Sequence, residues 1–290
     1  MSIYSYKVFL EVVSSGSFVK ASENLNLSPS AVSHAVKSLE KEFGFSLFNR
    51  NRAGATVTAS GQRVLPYIRS LVKLQQNIEE EVSIINNYDV GAVRIGLFSS
   101  VASNWFIKIL QNFKEKNPGI DVIFQQGDYV DIMSWLKKGD VDLAFTTDEL
   151  AKDTNFTALK ADPLICVTAD DYVPLKGDRI TPPDLKKSPL IINKECEQYD
   201  ARRYIKENDI HPDAYYETVT HQTLFAMVRE GMGICIIPEL VARAAPEGVR
   251  KYPIEGEPFR TIGLTYADPE TVSPAVKLLA EDIMAYVDKL

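Results

Sequence analysis

The sequence predicts a chain of the α/β class that carries an all-α head at its N-terminus. Three observations lead to this. Residues 1–60 hold three short helical patterns followed by two short β-like runs. Residues 60–87 keep one long apolar repeat at spacings of four and three. From Val93 onward, short apolar runs alternate with helical ones, which implies a parallel sheet covered by helices. At 290 residues the chain has room for two domains, each with its own core.

In the head, Ile3 to Ser14 reads as a first helix, with Ile3, Tyr6, Phe9, Leu10 and Val13 on one face. Ser17 caps a second helix, whose apolar face is Phe18, Ala21 and Leu25. A short polar joint, Asn24 to Leu27, leads to Ser28, whose hydroxyl suits the cap of a third helix. Pro29 follows at the first helical position, where a missing N–H costs nothing. Ala31, Val32, Ala35, Val36, Leu39 and Phe43 form one apolar stripe, and Ser30, Ser33, His34 and Lys37 lie off it, facing outward.

Two short helices, a tight joint and outward donors make a helix-turn-helix that can enter a groove of DNA. An ordinary helical hairpin is the competing reading, and the next stretch of chain argues against it. Phe45–Phe48 and Ala55–Thr58 read as two short strands around the basic turn Asn49–Gly54. Such a two-stranded wing would carry Arg50 and Arg52 at its tip, in reach of a phosphate backbone. The head is thus expected to be a winged helix-turn-helix.

Net charge is −7, which by itself speaks against nucleic acid. Its distribution reverses that. Residues 1–73 hold nine Lys and Arg against four acids, so +5, and the remainder is −12. A basic head on an acidic body is expected where only the head meets DNA, and the body's repulsion helps to set orientation. No apolar run approaches the roughly 18 residues that span a bilayer, and the N-terminus lacks a signal-peptide layout, so a cytoplasmic protein is expected.

The spacing of residues 9–61 resembles the N-terminal domain of LysR-type transcriptional regulators. The matching residues are Phe9, Gly16–Ser17–Phe18, Ala21, Ser28, Ala31–Val32–Ser33, Leu39–Glu40, Leu47–Phe48, Arg50 and Thr58–Ala59–Ser60–Gly61. There is one departure. The family often has a DNA-touching Gln after the position of Ser28, and Pro29 stands there, so specificity must lean on Ser30, Ser33, His34 and Lys37. By this resemblance the DNA-binding residues are Ser17, Ser28, Pro29, Ser30, Ser33, His34, Lys37, Arg50 and Arg52.

Ser60 to Asn87 then reads as one helix whose Val64, Ile68, Leu71, Gln75, Ile78, Val82 and Ile85 form a heptad seam, with Gln75 as a polar interruption. Pro66 should kink it. Packing on its own domain is the alternative. A dimerising linker is favoured because Glu79–Glu81 solvate its flank and because the family has a linker there. Asn86 to Gly91 reads as the domain boundary.

Beyond it, strands are expected at Val93–Phe98, Ile120–Gln125, Val141–Phe145, Leu164–Val167, Leu190–Ile192, Tyr215–Val219, Gly233–Ile237 and Ile262–Tyr266. Helices are expected at Trp105–Lys116, Ile132–Lys138, Ala201–Asn208, Leu224–Glu230 and Pro274–Leu290. This part also resembles the LysR-type effector domain, itself similar to periplasmic binding proteins. The matches are Arg94–Gly96, Leu136–Ala144 and Val228–Pro238. The resemblance implies a head over 1–60, a linker over 61–88 and an effector domain over 91–290. That domain would have two α/β subdomains, about 91–161 with 266–290, and about 162–265. Crossover strands would lie near Ala161–Pro163 and Leu264–Tyr266.

Ligands of open α/β sheets bind beyond the carboxyl ends of strands. Those ends offer Ser99, Ser100, Asp128, Thr146 and Thr147, and from the second subdomain Cys196, Thr220 and His221. Each alone reads as a cap or turn; their convergence on one cleft suggests a small-molecule site, where the hydroxyls suit an organic acid while Asp128 and Glu195 disfavour a simple dianion and leave the ligand's charge open. A structural role for His221 weighs about as much. Cys166 and Cys235 sit in apolar runs and read as packing residues, and acids flanking Cys196 argue against a redox thiol. No phosphate loop, nucleophile elbow or metal-ligand spacing occurs, so no catalysis, cofactor or metal is expected.

The function so implied is a homodimeric or homotetrameric transcriptional regulator. Its partners would be double-stranded DNA, a small-molecule effector and RNA polymerase. The rival readings are an α/β enzyme tethered to DNA, and a DNA-binding protein that takes no effector.

Overall fold

The structure, a computed structural model, describes residues 2–51, 54–85, 91–152, 154–193, 201–212 and 214–290, with only the backbone of Arg50, Asn51, Ile84 and Ile85. The chain divides into two compact units, Met1–Tyr88 and Asp89–Leu290.

The first unit runs α1 (Ile3–Ser15), α2 (Phe18–Asn24), α3 (Pro29–Phe43), β1 (Phe48–Asn51), β2 (Gly54–Val57) and α4 (Ala59–Ile85). Helix starts are set locally. Ser2, Ser17 and Ser28 each accept a hydrogen bond from the backbone N–H three residues on, and Pro29 opens α3. Phe9, Val12, Ala21, Val32, Val36, Leu39 and Leu47 make the core, closed by Leu65, Ile68 and Val72 of α4.

β1 and β2 pair antiparallel, from Phe48 opposite Val57 to Asn51 opposite Gly54. This is the expected wing, with its first strand moved. Phe45 to Leu47 stand outside the β1–β2 ladder, although the Leu47 carbonyl accepts from Thr58 N–H (2.9 Å), and α3 holds part of that stretch. The Glu40 carboxylate accepts from the N–H groups of Leu47 (2.7 Å) and Phe48 (3.3 Å). Phe45 packs on Phe43, ring to ring at 5.6 Å. The strand therefore begins at Phe48 and takes in Asn49, Arg50 and Asn51. Arg52 lies outside the described residues. Gly54 is needed where the wing meets α1: Ala55 N–H donates to the Gly16 carbonyl (2.9 Å), and a Cβ on Gly54 would stand 2.7 Å from that oxygen.

α4 runs unbroken through Pro66. The expected seam is shared between two uses. Ile68 turns into the head's own core, whereas Leu71, Ile78 and Val82 are exposed, joined by Tyr67 and Leu74 rather than by Gln75. Gln75 instead donates to the Glu79 carboxylate one turn on (2.9 Å). Asn86 to Val90, and with them most of the expected boundary, lie outside the described residues.

The second unit begins with β3 (Gly91–Leu97), α5 (Ser99–Val101), a π-helical turn Ala102–Phe106, α6 (Ile107–Lys116), β4 (Ile120–Gln126), α7 (Tyr129–Lys138) and β5 (Leu143–Thr147). It continues with β6 (Thr157–Ala169), α8 (Pro182–Lys187), β7 (Leu190–Asn193), α9 (Arg202–Glu207), β8 (Tyr215–Thr218), α10 (His221–Arg229), β9 (Cys235–Pro238) and α11 (Glu239–Ala242). β10 (Val249–Pro253), β11 (Phe259–Tyr266) and α12 (Pro274–Val287) complete it.

The expectation of a parallel sheet holds for part of this unit. β3 lies parallel to β4 and β5, and β7 parallel to β8. β6 and β11 run antiparallel to their neighbours and join the halves. β6 pairs with β11 over Thr157–Pro163 and then with β9 and β10 over Leu164–Ala169, so its expected crossing at Ala161–Pro163 falls within one 13-residue strand. Leu264 to Tyr266 are not a crossing: they already pair with β5, at Phe145 to Leu143. β11 meets the second half earlier, at Phe259 and Arg260 opposite Pro163 and Asp162. β10 has no counterpart in the sequence expectation, because Val249–Pro253 alternates too weakly to stand out.

One core of buried residues, including Ile95, Phe106, Ile132, Phe145 and Leu279, fills the first half. Two smaller ones, around Leu164, Cys166 and Ile236 and around Val167, Leu224 and Cys235, fill the second. Cys166 and Cys235 are both buried, and burial pushes the Cys166 thiol well above its ordinary range. Cys196 lies outside the described residues.

Candidate functional site

On the first unit, Ser28, Pro29 and Ser30 are exposed at the start of α3, and His34 and Lys37 follow on its exposed side. Ser28 Oγ accepts from Ala31 N–H (3.2 Å) and lies 2.9 Å from Ser30 Oγ. Ser33 is half-buried, at the margin between the exposed side and the Val32–Val36 stripe. Ser17 caps α2, its hydroxyl 3.4 Å from Lys20 N. These side chains share one unit with the wing, where Arg50 stands in β1 opposite Ala55.

On the second unit the expected ligand residues part into two kinds. Asp128 and Thr220 are caps. Asp128 accepts from Asp131 N–H (2.7 Å) at the start of α7, and Thr220 from Thr223 N–H (3.2 Å) at the start of α10. His221 opens α10 with its ring tilted over Phe225 at 6.4 Å. Ser99 begins α5, its carbonyl accepting from Ser103 Oγ (2.9 Å).

Ser100, Thr146 and Thr147 are different. All three are buried where the parallel neighbours β3 and β5 end. The Oγ1 atoms of Thr146 and Thr147 have no hydrogen-bond partner among the described residues. A buried hydroxyl left unpaired costs about 1–3 kcal/mol, so such a pair in one place calls for an explanation.

Ser100 leads to residues the sequence expectation missed. Its Oγ accepts from Arg260 Nη2 at 3.0 Å. Arg260 is only 4% exposed and also donates to Asp162 Oδ2, from Nε at 2.9 Å and Nη2 at 2.6 Å. Its Nη1 donates to the Tyr129 hydroxyl, and its Cζ lies 5.0 Å from the centre of the Phe98 ring. Asp162 Oδ1 accepts from Leu240 N–H (3.0 Å), and Asn104 Nδ2 donates to the Leu240 carbonyl (3.1 Å). One buried ion pair therefore ties the two crossing strands to the ends of β3, α7 and α11. The only sequence signal was a charge beside an apolar run in each strand, Asp162 before Leu164–Val167 and Arg260 before Ile262–Leu264.

A cavity of about 530 Å³ opens beside the start of β11, lined among others by Leu164, Arg203, Tyr204, Glu207, Glu255 and Phe259. None of the expected ligand residues that the structure describes lines it. Burial raises the Tyr204 hydroxyl to about 12, so it stays protonated and donates to the Glu255 carbonyl (2.8 Å). Among the described residues no group of His, Cys, Asp and Glu could hold a metal, and no helix is long and apolar enough to cross a membrane.

A winged helix-turn-helix joined to a mixed α/β unit with two halves threaded by paired strands defines a DNA-binding regulator with a separate ligand-binding part. The bacterial regulatory helix-turn-helix family of the lysR type matches residues 3–62, and the LysR substrate binding domain matches residues 86–287. The chain belongs to the LysR family of transcriptional regulators. It is 28% identical over 290 residues to the HTH-type transcriptional regulator YvbU of Bacillus subtilis, 97% of each chain being covered. Its fold is similar to a cysteine-to-aspartate form of full-length OxyR from Pseudomonas aeruginosa, with TM-score 0.78, 18% identity and coverage of 98% and 94% of the two chains. It is also similar to the effector binding domain of QuiR in complex with shikimate, with TM-score 0.62, 23% identity and coverage of 69% of this chain and 98% of that one.

Proposed function

We propose that the chain is a cytoplasmic regulator, not an enzyme, with a head over 1–60, a linker helix over 61–88 and an effector domain over 91–290. Its subdomains are about 91–161 with 261–290, and about 162–260, the second boundary moved to where β11 leaves the second half. The head reads double-stranded DNA with Ser30, Ser33 and His34 against base edges. Lys37 and Arg50 or Arg52 hold the phosphate backbone, and Ser17, Ser28 and Pro29 belong to the same DNA-binding surface. The exposed ridge Leu71, Leu74, Ile78 and Val82 on α4 supports pairing with a second copy through this helix, giving a dimer or tetramer.

The effector is a small organic acid. Ser99, Ser100, Asp128, Thr146, Thr147, Cys196, Thr220 and His221 surround its site. Binding shifts the balance between open and closed arrangements of the two halves and so alters contacts with DNA and RNA polymerase. The observation that carries the effector reading is the set of buried hydroxyls at the ends of β3 and β5, two of them without a partner among the described residues. Shikimate, with which the similar QuiR effector binding domain is in complex, is an acid of this class.

The test is the double variant Ser100→Ala with Thr147→Ala, in electrophoretic mobility shift and reporter assays. The effector response should vanish while operator affinity stays within about twofold, since the head is a separate unit. An unchanged response would place the ligand elsewhere.

A further inference from the structure

We infer that Arg260 is a positioning residue that makes Ser100 an obligatory hydrogen-bond donor, so that the ligand group meeting Ser100 is an acceptor oxygen. The inference rests on the effector reading above and deepens it.

A serine hydroxyl has one proton to give and lone pairs to receive with, and either role is ordinarily open to it. At Ser100 one lone pair is filled, and among the described residues it is the proton that has no taker. Arg260 Nη2 donates to its Oγ at 3.0 Å, and an arginine cannot reverse that direction, since its guanidinium holds donors only. Among the described residues the Ser100 hydroxyl gives its proton to no acceptor, although the residue is 5% exposed. A cationic donor on one side of a hydroxyl polarises its O–H, which strengthens the bond it makes on the other side.

Arg260 has no freedom to leave this post. It faces Asp162 across the β6–β11 pairing and holds it through Nε and Nη2, while Nη1 is on Tyr129 and the plane lies near Phe98. Asp162 also balances its charge, so the arginine orients the hydroxyl without placing a free positive charge in the site. That makes the site select for acceptor geometry. At the end of the neighbouring β5, Thr146 and Thr147 are also buried with Oγ1 atoms that have no partner among the described residues, and as successive strand residues they face opposite sides of the sheet.

A ligand carboxylate can receive from Ser100 through either of its charged oxygens. Its amide counterpart can receive there only through a neutral carbonyl, which makes the weaker bond, and its NH2 turned to Ser100 would set a donor against a donor. The energetic cost of such a mismatch is what gives polar sites their discrimination.

The test uses the full-length protein and matched acid–amide pairs (shikimate, succinate and acetate against their amides), with affinities from calorimetry. Wild type should prefer at least one acid over its amide by about tenfold or more. The double variant D162N/R260Q removes the charged pair and replaces it with polar, uncharged side chains, the Gln being shorter and able to accept as well as donate. There the preference should fall to about twofold or less, mostly through weaker acid binding. R260K, which keeps the cation, should retain a measurable preference for the acid.

A merely structural role for Arg260 would weaken acid and amide alike and leave the ratio unchanged, and that result overturns the inference. So does a wild-type protein that binds neutral or amine ligands from a broad metabolite set and none of the acids. A wild type that binds nothing in that set removes the effector reading itself, and this inference with it, while leaving DNA binding untouched.

Discussion

The two units hold their functional side chains in opposite ways. In the head, Ser28, Ser30, His34 and Lys37 stand on the exposed side of one helix, whose start Ser28 fixes through bonds two and three residues apart in sequence. In the second unit, Ser100 is buried, and its partner Arg260 lies 160 residues further along the chain. A protein that reads DNA needs exposed donors that can reach phosphates and base edges. One that recognises a small molecule needs donors stripped of water and held in place. The head therefore depends on local helix chemistry, and the ligand part on long-range packing.

The largest expected effect tests the long-range side. Asp162→Ala leaves the Arg260 charge buried without its partner, which should cost about 3–5 kcal/mol. Denaturant unfolding followed in the second unit should show it, and a loss under about 1 kcal/mol would mean that the network is solvated. Next is the α4 ridge: Val82→Asp puts a charge where a partner helix is expected to pack, and light scattering should report a smaller particle.

A pH effect arises from Asp184. Burial would raise its pKa, but hydrogen bonds from Thr181, from the Leu175 N–H and from Tyr172 outweigh it, so the carboxyl titrates below its ordinary range. Its contribution is present above the unfolded carboxylate pKa of about 3.9 and is lost as pH falls through the lower folded value. Asp184→Asn should flatten that part of the stability profile in thermal melts between pH 6 and pH 2. The smallest effect belongs to the head. Lys37→Ala should lower affinity for all DNA sequences alike and reduce the slope of log affinity against log salt by about one. A change of sequence preference instead would make Lys37 a base reader and blur the contrast between the units.

The head was nearly all legible because its signals lie within a few residues of what they specify. Ser17, Ser28 and Pro29 mark helix starts by their own hydroxyls and ring, and the apolar stripe of α3 has the period of the helix that buries it. The exception was β1, where the apolar run Phe45–Phe48 looked like a strand but is captured by Glu40 and Phe43. α4 shows the same limit from the other side. A heptad row says that one face is apolar, but not that Ile68 packs inward while Leu71 and Ile78 are left outward.

By itself, then, the sequence determined the order of elements, the helix caps, the basic head and the residues at the ends of β3 and β5. Those are short-range properties of a chain, carried by period, capping chemistry and charge. Only the tertiary structure decided that β6 and β11 run antiparallel between the halves, that β10 joins them, and that Asp162 faces Arg260 across 98 residues. Strand register and direction depend on which distant backbone supplies the next row of hydrogen bonds. A lone Asp or Arg in a sequence reads as a solvated surface charge until the fold places its partner opposite and takes the water away.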